Sequence, residues 1–314
     1  MTPAAHALLD GLIDYAGLFP PADLDLGDAV GRYAEHRASP ERWMLARFII
    51  PAGQLESLES PDMSSGPWHL SVLGHAPGPD EPWADAAHRT LETARAAERR
   101  EEGIVADRFE LRLPADLARD PDALTDALVA LDADYRQGGG TGPRAALEVP
   151  FLSAPDAVGP AAQAVVDANG RAERPAFALK LRCGGVTPDL VPEVEALACA
   201  LATIRDAGTP YKATAGLHHP LPNHDDAVGA RMHGFLGVFG GAVLARIHGL
   251  GPDDWAEILD DSDPANWSIQ DGLRWRSLSA TAAEVADARA QLALSFGSCS
   301  FDEPVDDLRQ LGWL

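Results

Sequence analysis

The sequence predicts an α/β chain closed into a (β/α)8 TIM barrel, and three observations carry that expectation. Eight short apolar runs alternate with longer stretches of helical period. Most of the runs end in Gly, Pro, Ser or His, as strand-to-helix loops do. The 314 residues suit one α/β barrel. A single domain is expected over residues 1–314, with 249–280 as an insertion. An open doubly wound sheet is the alternative, because strand order is not written in the spacing.

The expected strands are Gly11–Asp14, Leu45–Ile50, His69–Leu73, Phe109–Leu113, Ala145–Val149, Ala176–Arg182, Tyr211–Ala215 and Ala293–Gly297. Ala-rich helices are expected between them, among them 85–100, 154–168 and 188–207. Thr187 is placed to cap the last of these, with Pro188 at its first position, and Asp120–Pro121 repeats the device. Within the insertion, Asp271–Gly272 lies between two alternating runs and predicts a small β-hairpin before the last barrel helix. Trp267 and Trp275 are expected to pack it onto the body.

Composition narrows the function classes. Hydrophobic residues make up 46% of the chain, enough for a large core. The 25 Lys plus Arg against 48 Asp plus Glu leave a net charge of −23. That argues against nucleic acid and anionic membrane as partners, since both need a basic face. Three cysteines, an odd number with no CxxC spacing, suit a reducing cytoplasm. The N-terminus has no basic region and acquires Asp10 and Asp14 early, so it does not read as a signal peptide. No apolar run approaches the length of a membrane span. GGGTGPR at 138–144 precedes a strand rather than a helix and fails the context of a phosphate loop.

Lys180 and Lys212 are the only lysines in the chain. Side chains alternate along a barrel strand, and the apolar set must meet the outer helices. In RFELRLP, Phe109, Leu111 and Leu113 therefore face out, and Arg108, Glu110 and Arg112 face the axis. The same rule turns Glu148, then Lys180 and Arg182, then Lys212 and Thr214 inward. Buried charges are costly unless paired, and barrel interiors are usually aliphatic. A salt-bridge network that only fills the barrel is the competing expectation. The position of these residues near the C-terminal strand ends, where barrel active sites lie, favours function.

Two lysines on adjacent strands point to Schiff-base chemistry. The attacking amine must be neutral, yet a free lysine has a pKa of about 10.4. A second ammonium about 4 Å away costs roughly 4 kcal/mol at an effective dielectric near 20, or about three pK units. Arg182 would push the same way, while Glu110 and Glu148 would push back if they pair with the lysines.

KLRCGG on the sixth strand and KATAGLHHP on the seventh resemble the class I aldolases of the deoxyribose-phosphate aldolase type. That resemblance implies Lys180 as the Schiff-base lysine and Lys212 as the residue that lowers its pKa. SFGSCSF is similar to that family's phosphate-binding turn, which brings in Ser298, although Asp302 and Glu303 follow where a phosphate would need positive charge. DYAGLFPPA, KATAGLHHP, MHGFLGVF and SFGSCSFDEP together resemble an uncharacterised family of bacterial TIM-barrel proteins. That second likeness implies the barrel and brings no activity with it.

The expected function is a cofactor-free lyase or aldolase acting on a small, anionic carbonyl compound. Lys180 is the nucleophile, Lys212 tunes it and Glu148 moves protons. Arg112 and Arg182 hold a carboxylate, with Glu110, Asp14, His218, His219 and Ser298 around the substrate. A metal-dependent hydrolase or lyase built on His218 and His219 with an acid remains open, though the spacing matches no ligand pattern. A non-catalytic barrel that binds a small anion is the third possibility. Cys183 and Cys299 are expected to be inert buried thiols.

Overall fold

The structure, a computed structural model, describes residues 2–59, 64–78, 80–137 and 145–314, so the glycine run at 138–142 lies outside it. Eight strands occupy the expected places: β1 (Ile13–Tyr15), β2 (Leu45–Pro51), β3 (Trp68–Leu73), β4 (Ile104–Arg112), β5 (Ala145–Glu148), β6 (Phe177–Arg182), β7 (Tyr211–Thr214) and β8 (Ala293–Ser298). They close into one parallel barrel, with β1 joined to both β2 and β8. The chain is thus a (β/α)8 barrel and not an open sheet.

Helices follow seven of the eight strands: Leu26–Ala38, Trp83–Arg100, Pro121–Gln137, Val158–Ala172, Val194–Asp206, Gly241–His248 and Asp302–Gln310. After β2 the described chain makes only a 3-10 turn, Ala52–Ser57. Apolar side chains on the outer strand faces, such as Phe109, Leu111, Leu147, Leu179 and Tyr211, are buried beneath this ring. No helix among the described residues is long and apolar enough to cross a membrane.

Several boundaries differ from expectation for local reasons. The helix expected over 188–207 divides into a 3-10 turn, Pro188–Leu190, and the helix Val194–Asp206. Pro192 has no N–H and disfavours helical backbone at Val191, which is extended. Thr187 makes no side-chain capping bond. Asp120 does cap, since its Oδ1 accepts from the Ala123 N–H at 3.0 Å. The insertion holds a helix, Pro252–Asp260, and three short antiparallel strands, Trp267–Ser268, Leu273–Trp275 and Leu278–Ala280, rather than one hairpin. Ser268 pairs with Arg274, so Asp271–Gly272 lies within a longer connection. Trp267 and Trp275 pack together and are buried, as expected.

Register positions the site. Arg112 pairs with Glu148, Glu148 with Lys180, and Lys180 with Lys212. Paired residues of neighbouring strands point to one face, so four consecutive strands aim one charged row at the axis. The loops above β6 and β7 touch backbone to backbone. A Cβ at Gly184 would lie 2.8 Å from the Gly216 Cα, and Gly216 has φ +74°. Only glycine admits that approach and that backbone.

Arg108 faces the axis toward the N-terminal end of the barrel. It is buried, its Nε lacks a partner, and burial pushes its pKa down to about 10. A buried N–H without a partner, on a cation drawn out of water, is costly. Arg108→Met is therefore expected to raise Tm by about 2–4 °C, roughly 1 kcal/mol for a domain of this size. A comparable fall in a thermal melt would instead show that the guanidinium balances Asp14 and Glu110 from below.

Candidate active site

The axis carries a continuous chain of ion pairs. Glu110 Oε2 meets the Lys180 Nζ at 2.8 Å, and Glu110 Oε1 meets the Lys212 Nζ at 3.1 Å. Lys180 also meets Glu148 Oε2 at 2.8 Å, and Lys212 pairs with Asp14. Ser71 donates to Glu110 Oε1 at 2.6 Å, and Ser295 donates to Asp14 Oδ2 at 2.7 Å. The Arg47 N–H donates to Asp14 Oδ1 at 3.0 Å, while its guanidinium pairs with Asp107. At the upper end, Glu148 Oε1 faces Arg182 at 3.4 Å and Arg112 at 3.8 Å.

Every member arises from strand alternation. Asp14 is the one inward residue of β1, between Ile13 and Tyr15, which are buried in the apolar layer. Arg47 on β2, Ser71 on β3 and Ser295 on β8 are inward polar residues within largely apolar runs. The same alternation would have found them, but they escaped notice because their strands read as core.

Burial and pairing compete at each carboxylate. Burial pushes Glu110 up, but Lys180 and Lys212 outweigh it and hold it well below the usual carboxylate range. Asp14 is likewise pushed up by burial and held low by Lys212 and Arg47. Glu148 is pushed up by burial and held low by Lys180 and the two arginines. Burial disfavours charge on Lys180, yet Glu110 and Glu148 raise its pKa. Its amine is therefore held as an ammonium. The two carboxylates outweigh the lysine–lysine repulsion expected from sequence.

Above this network lies a cavity of about 580 Å³ at the C-terminal ends of the strands. Glu110, Glu148 and Lys180 form its floor, and Arg112 and Arg182 stand at its rim. Phe19, Pro20 and Pro21, in the loop after β1, wall one side. Val186, Leu190, Val228 and Met232 line it elsewhere. Val228 and Met232 come with a second hairpin, Asn223–Asp225 and Ala230–Met232, which the polar sequence NHDDAVGARM did not announce.

The expected site residues divide by position. Lys180, Glu148, Glu110, Arg112, Arg182 and His218 reach the cavity. Lys212 and Asp14 do not, being fully buried beneath its floor, so Asp14 is a partner of Lys212 rather than a substrate contact. Ser298 shares the strand face of Phe296, which packs on Phe235 and Phe239, while Gly297 and Cys299 line the cavity instead. His219 is absent from the lining, its Nδ1 bonded to Asp307 at 2.6 Å. His218 Nδ1 lies 2.8 Å from Glu303. His233 lies just before a helix, and its Nε2 bonds the Pro192 carbonyl at 2.8 Å. Among the described residues, no group of three His, Cys, Asp or Glu side chains is arranged to hold a metal ion. Comparison with known proteins finds no family model and no curated protein that matches the chain.

The network predicts how stability depends on pH. The folded pKa values of Asp14, Glu110 and Glu148 lie below their unfolded ones. They therefore contribute stability above about pH 4 and lose it as pH falls through their folded values. Lys180, raised, contributes below its unfolded value of about 10.4 and ceases to do so as pH rises through its folded value. Glu110→Gln leaves two buried ammonium groups short of a partner and should cost about 3–5 kcal/mol at neutral pH. Urea unfolding across pH checks both, and a wild-type midpoint in Glu110→Gln would refute the bridging role.

Proposed function

We propose that the barrel is a cofactor-independent Schiff-base lyase of the aldolase type, with Lys180 as its nucleophile. The observation that supports this most is the Lys180 amine on the cavity floor, 2.8 Å from the Glu148 carboxylate. That contact gives the ammonium a route to the neutral amine that must attack a carbonyl. Glu148 takes the proton as the substrate approaches. The amine adds to the carbonyl carbon, one of its protons moves to the new alkoxide to give a hydroxyl, and the protonated Glu148 returns its proton to that hydroxyl as water leaves and the iminium forms.

Charge supports an anionic substrate. At the cavity three cations (Lys180, Arg112 and Arg182) face two carboxylates (Glu110 and Glu148), and Glu110 is also paired with the buried Lys212. The surplus positive charge lies on the rim side. A substrate carboxylate held by Arg112 and Arg182 would draw both away from Glu148. The carboxylate would then hold a proton more readily, which is what removing one from Lys180 requires. The apolar walls exclude water and strengthen each of these interactions. Lys212 acts from beneath, sharing Glu110 with Lys180. The likeness to class I aldolases noted on KLRCGG and KATAGLHHP supports Lys180 as the nucleophile, while the lowering of its pKa that the likeness implies for Lys212 is opposed here by Glu110 and Glu148.

Borohydride reduction in the presence of 2-oxo acids and small aldehydes checks the proposal. One reduced adduct is expected on Lys180, located by peptide mass, and it should disappear in Lys180→Arg. No adduct across the panel, or an adduct that persists in Lys180→Arg, would overturn it.

A further inference from the structure

The cavity holds a second reactive constellation that the Schiff-base reading does not use. Cys299 follows the end of β8, His218 lies four residues past β7, and Glu303 stands in the first turn of the helix Asp302–Gln310. His218 Nε2 is 3.8 Å from the Cys299 sulfur, and its Nδ1 is 2.8 Å from Glu303 Oε2. Thiol, imidazole and carboxylate thus stand in line, with the first two lining the cavity. Burial pushes His218 down, but Cys299 and Glu303 outweigh it and raise its pKa to about 9. His218 Nε2 is thus placed to take a proton from the sulfur, and an imidazolium beside a sulfur stabilises negative charge there.

The other two cysteines lack this arrangement. Cys183 is fully buried, and burial pushes its thiol up to about 12. Cys199 is exposed on the helix Val194–Asp206. They are internal standards for a buried inert thiol and for an ordinary accessible one.

We propose that Cys299, oriented with His218 and Glu303, is a nucleophilic thiol that adds reversibly to an aldehyde entering the cavity. The Cys299 S–H proton passes to His218 Nε2 as the sulfur–carbon bond forms and the carbonyl π pair moves to oxygen. That oxygen then takes the proton from Nε2, and Glu303 keeps the ring in place through Nδ1. The product is a thiohemiacetal, formed without oxidant or reductant, and the reverse step returns the aldehyde. The inference stands independently of the Schiff-base reading.

Iodoacetamide labelling of the whole protein at neutral pH, followed by peptide mass, reads this directly. Cys299 is expected to react at least about tenfold faster than Cys199, although it is far less exposed. His218→Gln should slow Cys299 by about tenfold and leave Cys199 unchanged, and Glu303→Gln should slow it less. Butyraldehyde should protect Cys299 equally in the wild type and in Lys180→Arg. Labelling of Cys299 no faster than Cys199, or in both variants as fast as in the wild type, would overturn the proposal. Loss of aldehyde protection in Lys180→Arg would also overturn it, by assigning the protection to Lys180.

Discussion

Glu110 accepts from two ammonium groups at once on the barrel axis, and the site is arranged around that demand. Two buried lysines on neighbouring strands would repel by several kcal/mol if nothing stood between them. One carboxylate with an oxygen toward each removes the repulsion and makes each lysine a condition of the other's burial. Asp14 and Glu148 then complete the two lysines, and Ser71 and Ser295 occupy remaining acceptor positions. A barrel filled this way gives up aliphatic packing on its axis. The apolar core lies instead between the strands and the helix ring.

The same network separates two tasks by depth. The lower layer of Asp14, Lys212, Arg47 and Ser295 is sealed from the cavity and fixes geometry and charge. The upper layer of Glu148, Arg112 and Arg182 touches the cavity and can rearrange when an anion enters. Lys180 and Glu110 sit at the boundary. Chemistry at Lys180 can therefore respond to a ligand while the residues beneath keep its position. The aromatic and proline walls add a low-dielectric surround in which such contacts strengthen.

The inward charges of β4 to β7 were legible in the sequence because period two is a local property of a strand. Which charge meets which was not, since that follows from barrel register among residues tens of positions apart. Two carboxylates therefore reverse the expected downward shift at Lys180. The pairing of Cys299 with His218 is not written in the sequence, because they come from loops that only the closure of β7 against β8 brings together. The hairpin at 223–232 was hidden because its strands are only three residues long and the first, Asn223–Asp225, is wholly polar. Pro192 was visible, and its effect on the helix after Thr187 follows from proline chemistry that the Ala-rich pattern masked.

The most direct measurement exploits a feature of the chain itself, that it contains only Lys180 and Lys212. Labelling lysine Cε with ¹³C gives two resonances, and Lys180→Met identifies one of them. The account predicts that the Lys180 resonance keeps its ammonium shift from neutral pH to beyond about pH 10.4, the ordinary lysine value. It also predicts that the resonance moves when an anionic carbonyl compound is added. A Lys180 resonance titrating near neutral pH in the empty protein would contradict it, by showing that the two carboxylates do not hold the charge.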